Sequence, residues 1–351
     1  MKTICFFNNK GGVGKTTLTC NIAASFAQTL RRRVLVIDCD PQCNATQLII
    51  GDQRTAEYYF PERVTDAGFS TILDVVNPIQ EGDSEINGNV NPLLGSQNRF
   101  GVDLIAGHPR LSVVEDKLSQ AWNSVIGGDV GGLRQTNWCS ALLHILDNRY
   151  DVAFVDLGPS LGSINRSVLL GSDYFVTPLG SDVFSIVGVR NIAEWLNQWA
   201  GFYDRGLDTS NRISGGALDR YATVRRTVQI RHGYIGYTLQ QYITKSKGGI
   251  RRPTVAFDRI LNRVPTEISQ SLGGFFAPGL SMREAKLGDV PNMFSIIPLA
   301  QSANVPIMSL ESSDGLVGAQ FKQKEEYANI LARLSSSLAK NIDTASNPVH
   351  G

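Results

Sequence analysis

The sequence predicts an α/β fold, a doubly wound and mostly parallel sheet with helices on both faces. Three observations carry that prediction. The chain opens on a short apolar run, Thr3-Ile4-Cys5-Phe6-Phe7, followed by a loop rich in glycine and lysine and then by Leu18, Ile22 and Phe26 at helical spacing. Two further apolar runs, Val34 to Ile37 and Val152 to Val155, end in Asp38 and Asp156. Strand and helix patterns then alternate along the chain.

The first loop, "NNKGGVGKTT" from Asn8 to Thr17, almost fits G-x-x-x-x-G-K-[ST] but has Asn9 where the first glycine belongs. A phosphate loop needs backbone N–H groups converging on oxyanions, with a helix starting at once to add its dipole. Gly11, Gly12 and Gly14 supply the flexibility, and Val13 and Thr17 complete the cradle. Lys15 is placed to reach the β- and γ-phosphates, and the Thr16 hydroxyl to ligate Mg²⁺.

The second strand ends in Asp38-Cys39-Asp40. Alternation along a strand turns Asp38 and Asp40 the same way, at the carboxyl end where ligands bind in open parallel sheets. One can hold a Mg²⁺ water and the other orient an attacking water; taken alone they are also a pair of solvated loop acids. The third run reads "NRYDVAFVDLGPSLG". It looks like a Walker B segment, with Asp156 beside Mg²⁺ and Gly158 able to turn its N–H to a γ-phosphate as a switch.

"KGGVGKTT", "DCDPQCNAT" and "VDLGPSLG", in that order, resemble the deviant Walker A ATPases of the ParA/MinD group. The resemblance implies a P-loop ATPase that forms a homodimer around ATP and Mg²⁺, with Lys10 reaching in trans to the partner's phosphates. It implies Lys15 and Gly14 on the phosphates, Thr16 on Mg²⁺, Asp38 on a metal-bound water, Asp40 orienting the hydrolytic water and Asp156 just outside the metal's own ligands. It also implies a partner protein that stimulates hydrolysis. "TILDVV", "VDLIAGHPRL", "SDYFVTPLGSDVFSIVGVRNI" and "FSIIPLAQSANVPIM" resemble later segments of the family, and "GAQFKQKEEYANILARLSSSLA" its final helix, with Tyr327, Ile330, Leu331, Leu334 and Leu338 on one apolar face. The late loop lacks the family's acidic-alanine pair, so adenine contacts fall to Pro298 or to Gln241 at a strand end.

Composition sets the outer limits. With 351 residues, 42% of them hydrophobic, the chain can bury a large core, and we read residues 1–345 as one domain with a polar tail at 346–351. A net charge of +1 excludes a globally basic nucleic-acid binder but not a local patch. Five cysteines without C-x-x-C, and no charged-then-apolar leader, point to a reduced cytoplasmic protein, on the nucleoid if it binds DNA. No run approaches the roughly 18 apolar residues of a membrane span. The final helix carries mixed charge and lacks the basic polar face of a membrane-targeting helix. The four histidines show no ligand spacing, and Cys39 and Cys43 read as core thiols. Because the chain opens on the first strand, neither an N-terminal helix-turn-helix nor direct operator binding is expected.

Two stretches exceed a minimal member of the family. Residues 51–100 carry eight acids against three bases and read as a long surface loop. Residues 210–263 carry eleven Arg or Lys and two acids, giving +9 there and −8 for the rest of the chain. Arg225, Arg226, Arg231, Lys245, Lys247, Arg251 and Arg252 surround an expected strand from Tyr234 to Tyr242. Two readings stand: a solvated or protein-facing basic surface, or non-specific DNA binding through phosphate contacts. They separate a DNA-partition ATPase from an ATP-gated regulatory or assembly protein.

Overall fold

The computed structural model describes residues 1–59, 68–240, 245–247, 250–252, 255–291 and 295–347, the side chains of 245–259 excepted. The chain runs β1 (Lys2–Phe6), α1 (Lys15–Gln28), β2 (Val34–Asp38), α2 (Asn44–Ile50), α3 (Asp52–Tyr59), α4 (Ile72–Glu81), β3 (Asp103–Ile105) and α5 (Leu111–Ile126). It continues through α6 (Val130–Thr136), α7 (Trp138–Leu146), β4 (Val152–Asp156), α8 (Ser163–Gly171), β5 (Tyr174–Gly180), α9 (Val183–Ser214) and β6 (Tyr234–Gln240). Then come β7 (Lys245–Lys247), β8 (Ile250–Arg252), α10 (Val255–Leu272), α11 (Met282–Ala285), β9 (Lys286–Val290), α12 (Ile296–Ser302) and α13 (Gln320–Ser346).

Seven strands form one sheet in the order β3-β2-β4-β1-β5-β6-β9, and every pairing in it is parallel. Strands covered on both faces must be apolar throughout, which is why β2 and β4 are buried at every position. Alternation then divides each strand between two cores. Ile4, Phe6, Val34, Val36, Val152 and Phe154 pack with α1, α2, α12 and α13, while Cys5, Phe7, Leu35, Ile37, Ala153 and Val155 pack with α4, α5, α7, α8 and α9. In α13, Tyr327, Leu331, Leu334 and Leu338 are buried and Ile330 half-buried, the face its spacing predicts.

Residues 51–100 are not the single long loop that their composition suggests. A capping box at Thr71 and Asp74 starts α4, whose Ile72, Val75, Val76 and Ile79 join the core. The Asn, Gly and Pro content that reads as loop begins only in its last turn, at Asn77 and Pro78. Upstream, α3 is held by its aromatic end, where the Tyr59 hydroxyl donates to the Gly107 carbonyl at 2.6 Å. The expected strand 234–242 ends at Gln240; Gln241 and Tyr242 lie outside the described residues. The basic stretch beyond it includes a separate antiparallel pair, β7–β8, in which Lys245 is in register with Arg252. Among the described residues, no helix is long and apolar enough to cross a membrane.

Candidate nucleotide site at the carboxyl edge of the sheet

The three motifs meet at the carboxyl ends of β1, β2 and β4, neighbours in the sheet although they are far apart in sequence. Between β1 and α1 the backbone turns left-handed at Gly12 (φ 73°) and Gly14 (φ 70°), the latter capping α1. That cap has no side-chain acceptor and the first turn has no acid, so the opening N–H groups of α1 remain for an anion. Gly11, Gly12, Gly14, Lys15, Thr16 and Thr17 line a cavity of about 670 Å³. Asp40, Gln42, Pro159 and Pro298 line it too, which places Pro298 on the same cavity as the loop. Asn304 (φ 52°) closes the far wall by donating to the carbonyls of Gln47 at 3.0 Å and Leu48 at 3.3 Å. Val13 is buried against the loop. Gln241 lies outside the described residues, but Gln240 next to it is at the loop: a Cβ on Gly14 would stand 3.2 Å from its amide nitrogen.

Lys15 is 8% exposed and donates to the Lys10 carbonyl at 3.1 Å. Burial lowers its pKa against the pull of Asp156 and Asp40. The three acids differ in what already satisfies them. Asp38 is fully buried and accepts from the Thr46 N–H at 2.8 Å, the Thr46 hydroxyl at 2.7 Å and the Asp40 N–H at 3.2 Å. Burial outweighs these donors and pushes its carboxyl up to about 6. Asp40 accepts from the Gln42 N–H at 3.0 Å and lies against Gly158, where a Cβ would stand 3.1 Å from its Oδ1. Asp156, in register with Asp38, is fully buried, and among the described residues neither of its oxygens has a hydrogen-bond partner. Burial first, then the charge of Asp38, raises its pKa well above the usual carboxylate range; the Thr16 hydroxyl, which approaches without completing a hydrogen bond, pulls the other way.

A cation would relieve this. Among the described residues no three His, Cys, Asp or Glu converge on a direct metal site. The donor set instead suits Mg²⁺, which keeps waters and takes few protein ligands beside phosphate oxygens. Thr16 would be the direct ligand, with Asp38 and Asp156 acting through water.

Lys10 takes a position of its own. Its ammonium donates to Asp182, which also caps α9 by accepting from the Phe184 N–H at 2.9 Å. Lys10 and Asp182 are each one-third exposed at the side chain. Burial acts to raise the Asp182 pKa, but Lys10, Ser185 and the Phe184 N–H together hold it below the usual range. Asn9, in the place of the first glycine, faces the same helix: a Cβ on Gly188 would come within 2.8 Å of its Oδ1.

Sequence reasoning missed the residues that support this edge. Asn165 donates to the carbonyls of Gly158 at 2.8 Å and Ser160 at 2.7 Å, holding the loop after β4. Glu115 of α5 caps α8 by accepting from the N–H groups of Ser163 and Ile164. Gly107 passes Asp38 so closely that a Cβ would lie 2.9 Å from its carboxyl carbon. Nothing in the local sequence marks them.

The expected DNA contacts are dispersed. Arg225 donates to the Gly171 carbonyl at 2.7 Å and stands 3.9 Å from Asp173. Arg226 pairs with Asp219 at 3.5 Å, and Arg231 with Asp204 at 2.7 Å. Lys245, Lys247, Arg251 and Arg252 lie together on β7–β8.

A glycine cradle opening a helix after a parallel strand, with a buried lysine in it and aspartates ending the adjacent strands, defines a P-loop nucleotide-binding protein. A family model described as AAA domain matches residues 1–207. The chain belongs to that family and is a P-loop ATPase of the ParA/MinD type. It is 30% identical over 195 residues to the virulence plasmid ParA family protein pGP5-D of Chlamydia psittaci, a match that spans 56% of this chain and 63% of that protein. The crystal structure of DIP2308 from Corynebacterium diphtheriae superimposes with a TM-score of 0.72 at 32% identity, over 99% of both chains. An ATP complex of a McdA variant from Cyanothece shares the fold, with a TM-score of 0.57 at 12% identity, over 98% of this chain and 96% of that one.

Proposed function

We propose that this protein hydrolyses ATP slowly, forms a homodimer with ATP between the two chains, and in that state binds DNA without sequence preference to position or segregate DNA or another cargo. A partner protein stimulates hydrolysis. The observation that carries the reading is the cavity that joins the Lys15 and Thr16 loop to Asp40, with the unpartnered Asp156 behind it. Mg²⁺, when bound, offsets phosphate charge. The chain's own part is to hold the phosphates on the N–H groups of residues 11–17 and on Lys15. Asp40, close to Gly158, then aligns water for attack on the γ-phosphorus and accepts its proton, giving ADP and phosphate. Lys10 leaves Asp182 and serves the partner's phosphates.

The ion pairs of Arg226 and Arg231 favour a second reading, a regulatory or assembly ATPase without a DNA role. The DNA reading then rests on the four cations of β7–β8. Filter binding of a non-specific duplex at two salt concentrations separates the two. The first reading requires retention with ATP, loss with ADP and a steep fall with salt from counterion release. Indifference to DNA in every nucleotide state leaves the second.

A further inference from the structure

Asp38 and Asp156 are in register on neighbouring strands, and two residues further on Asp40 meets Gly158. Among the described residues the last backbone hydrogen bond between these segments runs from the Cys39 N–H to the Asp156 carbonyl at 3.0 Å, so beyond that point the sheet no longer sets their spacing. Gly158 is held from its other side. Asn165, the third residue of α8 and 2% exposed, leans back toward the start of its helix and gives its amide nitrogen to two carbonyls of the incoming loop, Gly158 at 2.8 Å and Ser160 at 2.7 Å. Pro159 between them has no N–H to offer, and among the described residues 158–161 form no other hydrogen bond. The helix that carries Asn165 is itself anchored. Gly162 supplies no side-chain cap, and Glu115 of α5 accepts from the Ser163 N–H, the Ser163 hydroxyl at 2.7 Å and the Ile164 N–H at 3.2 Å.

We propose that Asn165 is a positioning residue for hydrolysis: it fixes Gly158 as the wall against which the Asp40 carboxylate is set, and through Asp40 it aligns the attacking water. The inference rests on the reading of Asp40 above and names what holds that acid in place. Among the described residues the Asp40 side chain takes its one hydrogen bond from the Gln42 N–H at 3.0 Å, two residues along its own loop, which moves with it. The opposing restraint is Gly158, where a Cβ would stand 3.1 Å from Asp40 Oδ1, so a loop shift of a few tenths of an ångström is felt at the carboxylate. Alignment of reacting groups tolerates little displacement. Phosphate binding depends instead on Lys15 and the N–H groups of residues 11–17, none of which Asn165 touches. Loss of Asn165 therefore falls on the chemical step and spares nucleotide binding.

The test compares Asn165→Ala with a matched control. Asn341 of α13, also 2% exposed, gives its amide to two carbonyls in the same way, Ile235 at 2.8 Å and Glu284 at 2.9 Å, away from the nucleotide cavity. Single-turnover phosphate release, and calorimetry of a non-hydrolysable ATP analogue with Mg²⁺, are measured on the full-length chain. Asn165→Ala should slow hydrolysis at least tenfold and leave analogue affinity within twofold. Asn341→Ala should lower the melting temperature by a similar amount and change neither. In an Asp40→Ala background the Asn165 substitution should add less than twofold, because the group it positions is already gone. Gly158→Ala leaves Asn165 intact and pushes Asp40 from the loop side; it should slow hydrolysis at least threefold with analogue affinity kept, and it decides the matter if Asn165→Ala does not fold. Normal hydrolysis in Asn165→Ala or in Gly158→Ala, or a further tenfold loss on top of Asp40→Ala, overturns the proposal while the reading of Asp40 stands. Full turnover in Asp40→Ala overturns that reading itself.

Discussion

The nucleotide edge and the basic stretch both concentrate charge, and they treat it in opposite ways. At the edge, charges are buried and left incomplete among the described residues: Asp156 has no donor, Lys15 donates to a carbonyl, and the first N–H groups of α1 have no side-chain cap. Within 210–240, by contrast, Arg225, Arg226 and Arg231 each meet a carboxylate, or in the case of Arg225 a carbonyl as well. Buried polar groups without partners cost stability, so a fold keeps them where a ligand supplies what is missing. Density of charge in the sequence says less about binding than whether the fold has already paired it.

The comparison is sharpest at Asp40. Asp40→Ala should lower ATP turnover by about 100-fold or more and leave nucleotide affinity near wild type, since water alignment is lost and the phosphate contacts stay. Steady-state phosphate release with calorimetry decides it; normal turnover would move the catalytic acid elsewhere, with Asp38 next in line. On the basic side, Arg251→Glu with Arg252→Glu should weaken ATP-dependent DNA binding by about tenfold or more and flatten its salt dependence. Arg225→Ala should behave differently despite lying in the same stretch. It should cost about 1–3 kcal/mol of stability in urea denaturation through the lost Gly171 hydrogen bond, with DNA binding unchanged.

The smallest effect concerns pH. Burial raises the carboxyl of Asp38 in the fold to about 6 from its ordinary 3.8. A raised acid gives stability that is complete below its unfolded pKa and is lost as pH climbs through its folded pKa. Asp38→Asn should therefore gain in melting temperature relative to the nucleotide-free wild type as pH rises from about 4 to 6, and level off above that. A difference that does not change with pH would mean that Asp38 is not buried in its charged form.

What could be read in the sequence follows from how local each signal is. Gly14, Lys15 and Thr16 lie in one loop, and Asp38 and Asp156 end apolar strands, so spacing alone placed them. Pro298 came from resemblance and lines the same cavity. Asp182 could not be found that way, because its partner Lys10 is 172 residues away. Neither could Glu115, which caps α8 from 48 residues away; Thr46 and Asn165 act close in sequence, on Asp38 and on the Gly158 loop, but no spacing rule marks a side chain that props a loop. Helix α4 was hidden for another reason: the polar composition of 51–100 outweighed a short capped helix that composition averages away.

Calorimetric titration of ATP with Mg²⁺ into the wild type and into Lys15→Ala tests the central claim most directly. Lys15 is the cation inside the loop cavity, and its removal leaves the β- and γ-phosphates to backbone N–H groups alone. The account predicts a saturable heat for the wild type and loss of affinity by about 100-fold or more for Lys15→Ala, with the variant's unfolding curve little changed. Equal affinity in the two proteins would contradict it, and would remove the nucleotide from the carboxyl edge of the sheet.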